Sequence, residues 1–244
     1  LHLGKPRQGL KSMEASARLA KAADADLLCL NLAVLGLAQL LQSEPRATET
    51  ALSAVAVGEE WGFERDLGLA LEVLGWSLVS QGKLEAAEAA ITKGISLLEG
   101  LGDPWFLFVG YCALASLHER SGNQQGALES YSRARQLADR LGSLFCRAWC
   151  LLLEAGFRTR QYGVEAAAST TYEALKWAEC SAAPLLIIPA YFRLAQLELS
   201  RGQQLPFESN LLRALSLAKS TGYRWLMGVE LAEMKHALAT GAAR

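Results

Sequence analysis

The sequence lacks an excess of charge of either sign, and it lacks a long apolar run. Its 24 lysines and arginines nearly balance 25 aspartates and glutamates, which leaves a formal net charge of −1. Nucleic-acid-binding surfaces usually carry a basic excess, so we expect no nucleic-acid partner. The richest apolar stretch, 27–41, is interrupted by Asn31 and Gln39 and is too short to span a bilayer. No secretory signal is visible at the start, and we expect no membrane association.

Reactive side chains are few and scattered. The five cysteines are odd in number and show no disulfide framework, which favours reduced thiols in a cytoplasmic protein. Cys146 and Cys150 share a helix face but have no acidic or histidine ligand in register. His2, His118 and His236 are too far apart in a repeat array to form one metal site. Without a phosphate-binding glycine loop or a nucleophile motif, we expect no metal, no cofactor and no catalytic residue.

Small residues mark the chain at a period of 40 residues. Gly62, Gly102 and Gly142 are 40 residues apart, Gly222 follows 80 residues later, and Ala182 fills the missing position. Several independent sets of positions share this spacing, which indicates internal repeats. Internal repeats determine the type of fold, so they are considered before other features of the sequence. The further classes are Gly82, Gly122 and Gly202 with Tyr162 in the gap; Ala54, Gly94, Ala134, Ala174 and Ala214; and Ala47, Ala87, Ala127 and Ala167, broken at Phe207.

Each repeat unit is predicted to form two helices. In the second unit Leu67, Leu71 and Leu74 follow the spacing of one helix face, and Gly82 ends that helix. Pro189 lies inside a predicted helix, so that helix begins near Pro189 or is kinked there. No run shows the alternation of a strand. The predicted helices are 5–22, 25–42, 46–60, 65–80, 83–100, 104–120, 123–140, 144–160, 163–180, 185–201, 206–220 and 223–240.

The repeat predicts one continuous domain, 1–244, in which each unit contacts only its neighbours. The chain starts with Leu1 rather than Met, inside the turn of an earlier unit, so we expect it to be a piece of a longer protein. The exposed apolar face of its first helix then predicts end-to-end self-association. The units are 23–62, 63–102, 103–142, 143–182 and 183–222, flanked by a half-unit, 1–22, and a cap helix, 223–244.

The unit resembles the tetratricopeptide repeat, in which a large residue, a leucine and a small residue precede a glycine, and an alanine–aromatic–alanine series follows it. The resemblance implies an all-α, superhelical α-α solenoid of about five helical hairpins. Two features depart from the usual repeat: the period is 40 rather than 34, and the proline that often ends a unit is absent. The third unit carries the pattern best, at Tyr111, Leu114, Ala115, Gly122, Ala127, Tyr131 and Ala134.

Two short segments, 74–83 and 221–225, resemble the C-terminal repeat regions of large bacterial signalling ATPases, including LuxR-type transcriptional activators. In those proteins a repeat array of this kind senses a small molecule or a partner protein. The resemblance therefore implies a sensor or regulator region. The partner could be a protein, a peptide, another domain of the parent chain or a small-molecule effector.

In tetratricopeptide arrays the first helix of each hairpin lines a concave groove, so the resemblance also implies a set of binding residues. Their aromatic members have a second interpretation as core residues. Arg120 and Arg160, one period apart, could bind a carboxylate or phosphate together, or could be ordinary cations at helix C-termini. The predicted groove residues are Glu72, Trp76, Cys112, Ser116, Arg120, Trp149, Leu152, Arg160, Phe192 and Gln196.

The function expected from the sequence is therefore non-catalytic. The first hypothesis is that the groove binds a segment of a partner protein. The alternative is a small-molecule effector site between adjacent first helices, which would need a cavity of roughly 300–1,000 Å³ with few polar groups.

Overall fold

The computed structural model describes residues 6–23, 25–222, 225–226 and 229–230. Helices make up nearly all of this part of the chain, as the repeat pattern predicts. Their bounds are α1 Pro6–Ala23, α2 Ala25–Leu40, α3 Ala47–Trp61, α4 Glu64–Ser80, α5 Leu84–Leu101, α6 Pro104–Arg120, α7 Gln124–Arg140, α8 Leu144–Tyr162, α9 Ala168–Ser181, α10 Pro184–Ser200 and α11 Gln204–Thr221.

The helices pair into hairpins. The pairs α2–α3, α4–α5, α6–α7, α8–α9 and α10–α11 have the most extensive contacts, and α4 also packs against α2, α3 and α6. Each first helix begins within one residue of its predicted start and each ends within two residues of its predicted end. The predicted all-α hairpin repeat is confirmed.

The periodic small residues end the helices. Gly62, Gly102 and Gly222 each follow a helix with a φ of 68° to 76°, and their N–H groups donate to the carbonyl four residues earlier. A positive φ is accessible to glycine because it has no Cβ. Ala182 takes the same conformation, with a φ of 51°, at the one unit end where the sequence has no glycine. The 40-residue marks are therefore helix-termination points.

One hairpin departs from the period. Its first helix, α8, runs through Tyr162, and the residue with positive φ is Gly163, with a φ of 88°. A short 3₁₀ turn, Glu165–Ala167, precedes α9, which has only 14 residues. The predicted start of this second helix at residue 163 is wrong, because Tyr162 cannot adopt a positive φ as cheaply as the adjacent glycine.

One alternative for Pro189 is excluded, and one further expectation is wrong. The helix α10 starts at Pro184 and continues through Pro189, which is buried, so it does not begin near Pro189, and the kink at Pro189 stays a prediction. Four residues of the predicted last helix form a short antiparallel pair, Trp225–Leu226 with Val229–Glu230. Aromatic and β-branched residues such as Trp225 and Val229 favour strands. The remainder of 223–244, with His236, and residues 1–5 of the half-unit, with His2, lie outside the described residues.

Close approach of helices depends on small residues. The Cα of Gly75 in α4 lies so near α5 that an added Cβ would be 2.4 Å from Ile91 Cγ1 and 3.0 Å from the Ala87 carbonyl oxygen. Ala87, Ala127 and Ala167, one period apart, are each fully buried. Helix axes can approach to about 8 Å only where the contact side chains are small.

The contacts divide the chain into two compact units, one of residues 8–142 and one mainly of residues from 143 onward. The division falls at Gly142–Ser143, which is a predicted unit boundary. The single continuous domain, 1–244, stays a prediction. Of the helices within the described ranges, none combines the length and apolar character needed to cross a bilayer.

Candidate functional site

The structure places most of the predicted groove residues in the core. The aromatic members Trp76, Trp149 and Phe192 have only 8%, 2% and 3% of their surface exposed. Helix α4 shows the reason, because it has neighbours on several sides and 12 of its 17 residues are buried. The predicted row of exposed aromatic anchors is therefore wrong, and their interpretation as core residues is confirmed. The buried members are Glu72, Trp76, Cys112, Trp149, Leu152 and Phe192; Ser116, Arg120, Arg160 and Gln196 reach the surface.

The two arginines of that row are exposed at helix ends. Arg120 is the last residue of α6, and Arg160 lies in the last turn of α8. Cations are favoured at these positions because the helix dipole is negative there. Arg120 and Arg160 belong to different compact units, so their joint anion site stays a prediction.

Glu72 occupies an unusual position for a groove residue. Its side chain is fully buried, and no hydrogen bond of ordinary geometry reaches either carboxylate oxygen. The carboxyl group lies against Gly110 of α6, where an added Cβ would be 2.0 Å from Oε1. Burial, followed by the negative charge of Asp103, raises the pKa of Glu72 well above its ordinary value, and the Gly110 backbone opposes this effect. Glu72 therefore belongs to the helix interface rather than to a ligand-facing surface.

A group of three polar side chains occurs where α5, α6 and α7 meet. The Tyr111 hydroxyl donates a hydrogen bond of 2.9 Å to Glu99 Oε1, and Arg133 lines the same surface depression. The pKa of Tyr111 is raised, first by burial and then by the hydrogen bond to Glu99, whereas the charge of Arg133 lowers it. We call Glu99, Tyr111 and Arg133 the first triplet.

The same group recurs 80 residues later, where α9, α10 and α11 meet. The Tyr191 hydroxyl donates to Glu179 Oε1 at 2.5 Å, and Arg213 Nη1 donates to the Tyr191 oxygen at 3.4 Å. The Arg213 guanidinium also lies 5.6 Å from the centre of the Tyr191 ring. The hydrogen bond to Glu179 is the largest cause of the raised pKa of Tyr191. Glu179, Tyr191 and Arg213 form the second triplet.

Each triplet borders a depression with apolar walls. The first depression has a volume of about 290 Å³ and includes Pro104, Leu107 and Leu137 beside Tyr111 and Arg133. The second has a volume of about 600 Å³ and includes Leu212 and Leu217 beside Tyr191 and Arg213. Leu137 and Leu217 are themselves 80 residues apart, so the two depressions are built from corresponding positions of the repeat.

The triplets were missed as functional candidates because Tyr111 and Tyr191 fit the pattern of large core residues. The spacing of the three residue types along the sequence could have identified them. In both copies the tyrosine follows the glutamate by 12 residues, and the arginine follows the tyrosine by 22. The intermediate copy lacks the signal, since it has Asp139, Leu151 and Glu173 at these positions.

Metal ligands do not cluster in the part of the chain that the structure describes: no group of three or more histidine, cysteine, aspartate or glutamate side chains could hold an ion there. No disulfide joins the cysteines of the described residues, and Cys29, Cys112, Cys146 and Cys150 are buried.

The comparisons with known proteins bear on the fold alone. No family model matches the sequence, and no curated protein matches it. A crystal structure of BtubC (BKLC) from P. vanneervenii is similar, with a TM-score of 0.63 and 14% sequence identity over 89% of this chain and 92% of that chain. The likeness agrees with the predicted architecture: the chain has an all-α, solenoid-like fold of helical hairpins.

Proposed function

We propose that this chain is a non-catalytic interaction region in which each triplet, within its own compact unit, binds a segment of a partner protein. The observation that carries the proposal is the recurrence of tyrosine, arginine and glutamate beside an apolar depression at two corresponding places. Tyrosine and arginine are over-represented among residues that dominate binding energy at interfaces.

The arginines are available to a partner. Among the described residues, neither Arg133 nor Arg213 forms an ion pair with a carboxylate; Arg213 instead lies against Tyr191. The glutamate of each triplet accepts the tyrosine hydroxyl and so orients the ring. An incoming carboxylate could therefore receive a bidentate contact from a guanidinium group beside a fixed aromatic ring.

The apolar walls specify the rest of the partner segment. Leu107 and Leu137 in the first depression, and Leu217 in the second, would contact an apolar side chain next to the acidic one. Leu212 adds an apolar surface that is 54% exposed at the second depression. The proposed partner is thus a peptide segment in which an aspartate or glutamate neighbours a large apolar residue. It could come from another protein or from another part of the parent chain.

A peptide-display selection against the 244-residue chain tests this function. We expect enrichment of acidic–apolar sequences with wild type and loss of that enrichment in Arg133→Glu/Arg213→Glu. A selected peptide should bind the double variant at least about tenfold more weakly by fluorescence anisotropy, equivalent to about 1.4 kcal/mol. The carboxylate would then face a negative charge, which interfaces reject strongly.

The matched control is Lys83→Glu/Lys176→Glu, which makes the same change in net charge at two exposed positions outside the depressions. Its peptide affinity should stay near that of wild type. Recovery of the same peptides with equal affinity by the triplet variant would contradict the proposal.

A further inference from the structure

The buried carboxyl group of Glu72 adjoins the first triplet through α6. Its Oε1 atom lies against Gly110, the residue before Tyr111, where an added Cβ would overlap it. At Gly94 of α5, an added Cβ would be 2.9 Å from Glu72 Cγ. Burial is the first cause of the raised pKa of Tyr111 and Glu99 is the second, and the charge of Glu72 raises it further. The carboxyl group and the first triplet are therefore close enough to influence each other.

The second triplet has no carboxyl group at the corresponding place. The residue 80 positions after Glu72 is Leu152, which is buried as well. Apolar residues can usually replace a buried charge without loss of stability, so the helix contact itself does not require a glutamate. Glycine occupies both neighbouring positions in the copy with the glutamate and neither position in three other copies, which have Leu32, Ala54 and Ala70; Cys112, Ala134 and Cys150; and Leu152, Ala174 and Ala190.

Within the part of the chain that the structure describes, no cation reaches the Glu72 carboxyl group: neither oxygen has a partner at ordinary hydrogen-bond geometry. Helices α2, α3, α5 and α6 pack against α4. Residues 27–40 of α2 include no charged side chain, and burial raises the pKa of the Cys29 thiol to about 12. Every charged residue of α3 and of α5 is exposed to solvent.

The charged group that acts on Glu72 from the α6 side is negative. Asp103, which precedes α6, raises the pKa of Glu72 after burial does. The nearby cation, Arg65, is engaged by two other carboxylates, at 2.7 Å by Asp103 and at 3.4 Å by Asp66. The other titratable residues of α6 are Tyr111, Cys112 and, in its last turn, residues 118–120.

These surroundings favour the neutral form of Glu72. Burying a charge that lacks a partner costs far more than burying a neutral polar group. Loss of the proton therefore favours conformations in which water reaches the carboxyl group, and the contact at Gly110 must open for this, because Oε1 lies against it. The same step places a negative charge near the triplet proposed to receive an acidic side chain, and like charges oppose binding.

We propose that Glu72 makes partner binding at the first triplet depend on its proton. With Glu72 neutral, α6 stays packed on α4 and Tyr111 is held for binding; when Glu72 loses its proton, α6 loosens and an acidic partner segment is released. The binding step rests on the function proposed for the triplets. Because coupling is reciprocal, the bound segment favours the protonated form, so binding takes up a proton. The second triplet lacks this dependence.

Hydrogen exchange followed by mass spectrometry tests the loosening of α6 without a partner. In wild type, we expect the protection factor of residues 106–112 to fall at least tenfold from pH 5.5 to pH 7.5, since one released proton changes an opening equilibrium by up to about tenfold per pH unit. Residues 186–192, the corresponding segment of α10, should keep theirs. Glu72→Gln and Glu72→Leu should each abolish the fall, whereas Glu88→Gln, on the exposed face of α5, should retain it.

Peptide affinity tests the binding step with one triplet disabled at a time. In Arg213→Glu, which leaves the first triplet, affinity for a selected acidic–apolar peptide should fall at least fivefold over the same pH range. In Arg133→Glu, which leaves the second triplet, it should change less than twofold. Adding Glu72→Gln to Arg213→Glu should remove the fall, and adding Glu88→Gln should not.

The two measurements separate the possible failures. Absence of peptide binding at both triplets at every pH would contradict the proposed function and overturn the binding step, while the exchange data would still decide whether Glu72 controls α6. An equal change of the protection factor of residues 106–112 in wild type and Glu72→Gln would overturn the inference. An equal fall of affinity at the two triplets would overturn it as well.

Discussion

The buried carboxyl group of Glu72 makes stability depend on pH. Its folded-state pKa is raised by burial and by the charge of Asp103, which is itself paired with Arg65 at 2.7 Å. A carboxylic acid with a raised pKa is protonated more readily in the folded state than in the unfolded state. Its contribution to stability therefore falls as pH rises above the ordinary glutamate pKa, toward the raised value.

Replacing this carboxyl group by its neutral isostere should remove that dependence. We expect Glu72→Gln to unfold like wild type near pH 4 and to be more stable at pH 7–8 by about 1–3 kcal/mol, the general cost of a buried unsatisfied polar group. Urea unfolding across this pH range measures the difference. Glu88→Gln, which alters an exposed glutamate of α5, is the control and should change stability little at any pH. A Glu72→Gln difference that is constant with pH would contradict this account.

The predictions from sequence differ most from the structure in the surroundings of single residues. A glutamate on the first helix of a hairpin fits a surface position, and nothing in the pattern around Glu72 indicates burial. Its environment is created by Gly94 of α5 and Gly110 of α6, whose missing Cβ atoms allow both helices to close on the side chain. The spacing of glutamate, tyrosine and arginine in the two triplets, in contrast, can be recognised in the sequence alone.

At the scale of the helices, glycine has two different roles. Gly75 lies at the contact of α4 with α5, where a Cβ would meet the backbone oxygen of Ala87 as well as Ile91. Gly100 lies near the end of α5, where an added Cβ would meet nothing within 4 Å. Backbone atoms cannot move aside as the end of a flexible side chain can, so only the first position restricts side-chain size.

The same substitution should therefore have opposite effects at these two positions. Gly75→Ala should destabilise by about 1–3 kcal/mol through overpacking. Gly100→Ala should stabilise by roughly 0.5–1 kcal/mol, because alanine loses less conformational entropy in a helix. Chemical denaturation of both variants checks the pair. Finding Gly75→Ala as stable as Gly100→Ala would show that the helix contact at Gly75 is looser than described.

The positions of α3 to α11 could be predicted because a residue with a positive φ follows the end of each of these helices within two residues. The predicted start of α9 is wrong because the residue with a positive φ is not at the expected position. Gly163 rather than Tyr162 takes the left-handed conformation, and α9 starts late as a result. For Trp76 the repeat left two interpretations open, groove and core, because burial depends on how many neighbours cover α4 rather than on the spacing along α4.

For the whole molecule, the division at Gly142–Ser143 has a testable consequence. Residues 8–142 contain three complete hairpins, α2–α3, α4–α5 and α6–α7, with buried cores of their own. We expect a fragment of residues 8–142 to unfold cooperatively on heating, as followed by circular dichroism. A fragment of residues 8–112 is the comparison: it ends inside α6 and lacks α7, so the α6–α7 hairpin cannot form and its unfolding should be less cooperative. If the longer fragment shows no cooperative transition, the two units depend on each other for folding.

The irregular hairpin of α8 and α9 has a consequence for building chimeras. The extra length of α8 is offset by the short α9, so Ala182 has the left-handed conformation that Gly102 and Gly222 have at the same point of their units. An insertion in one turn is thus compensated before the next unit begins. Segments that begin and end at these left-handed residues should therefore be exchangeable without shifting the helices that follow. A segment that ends at Tyr162 would include the longer α8 without the shorter α9, so it would shift them.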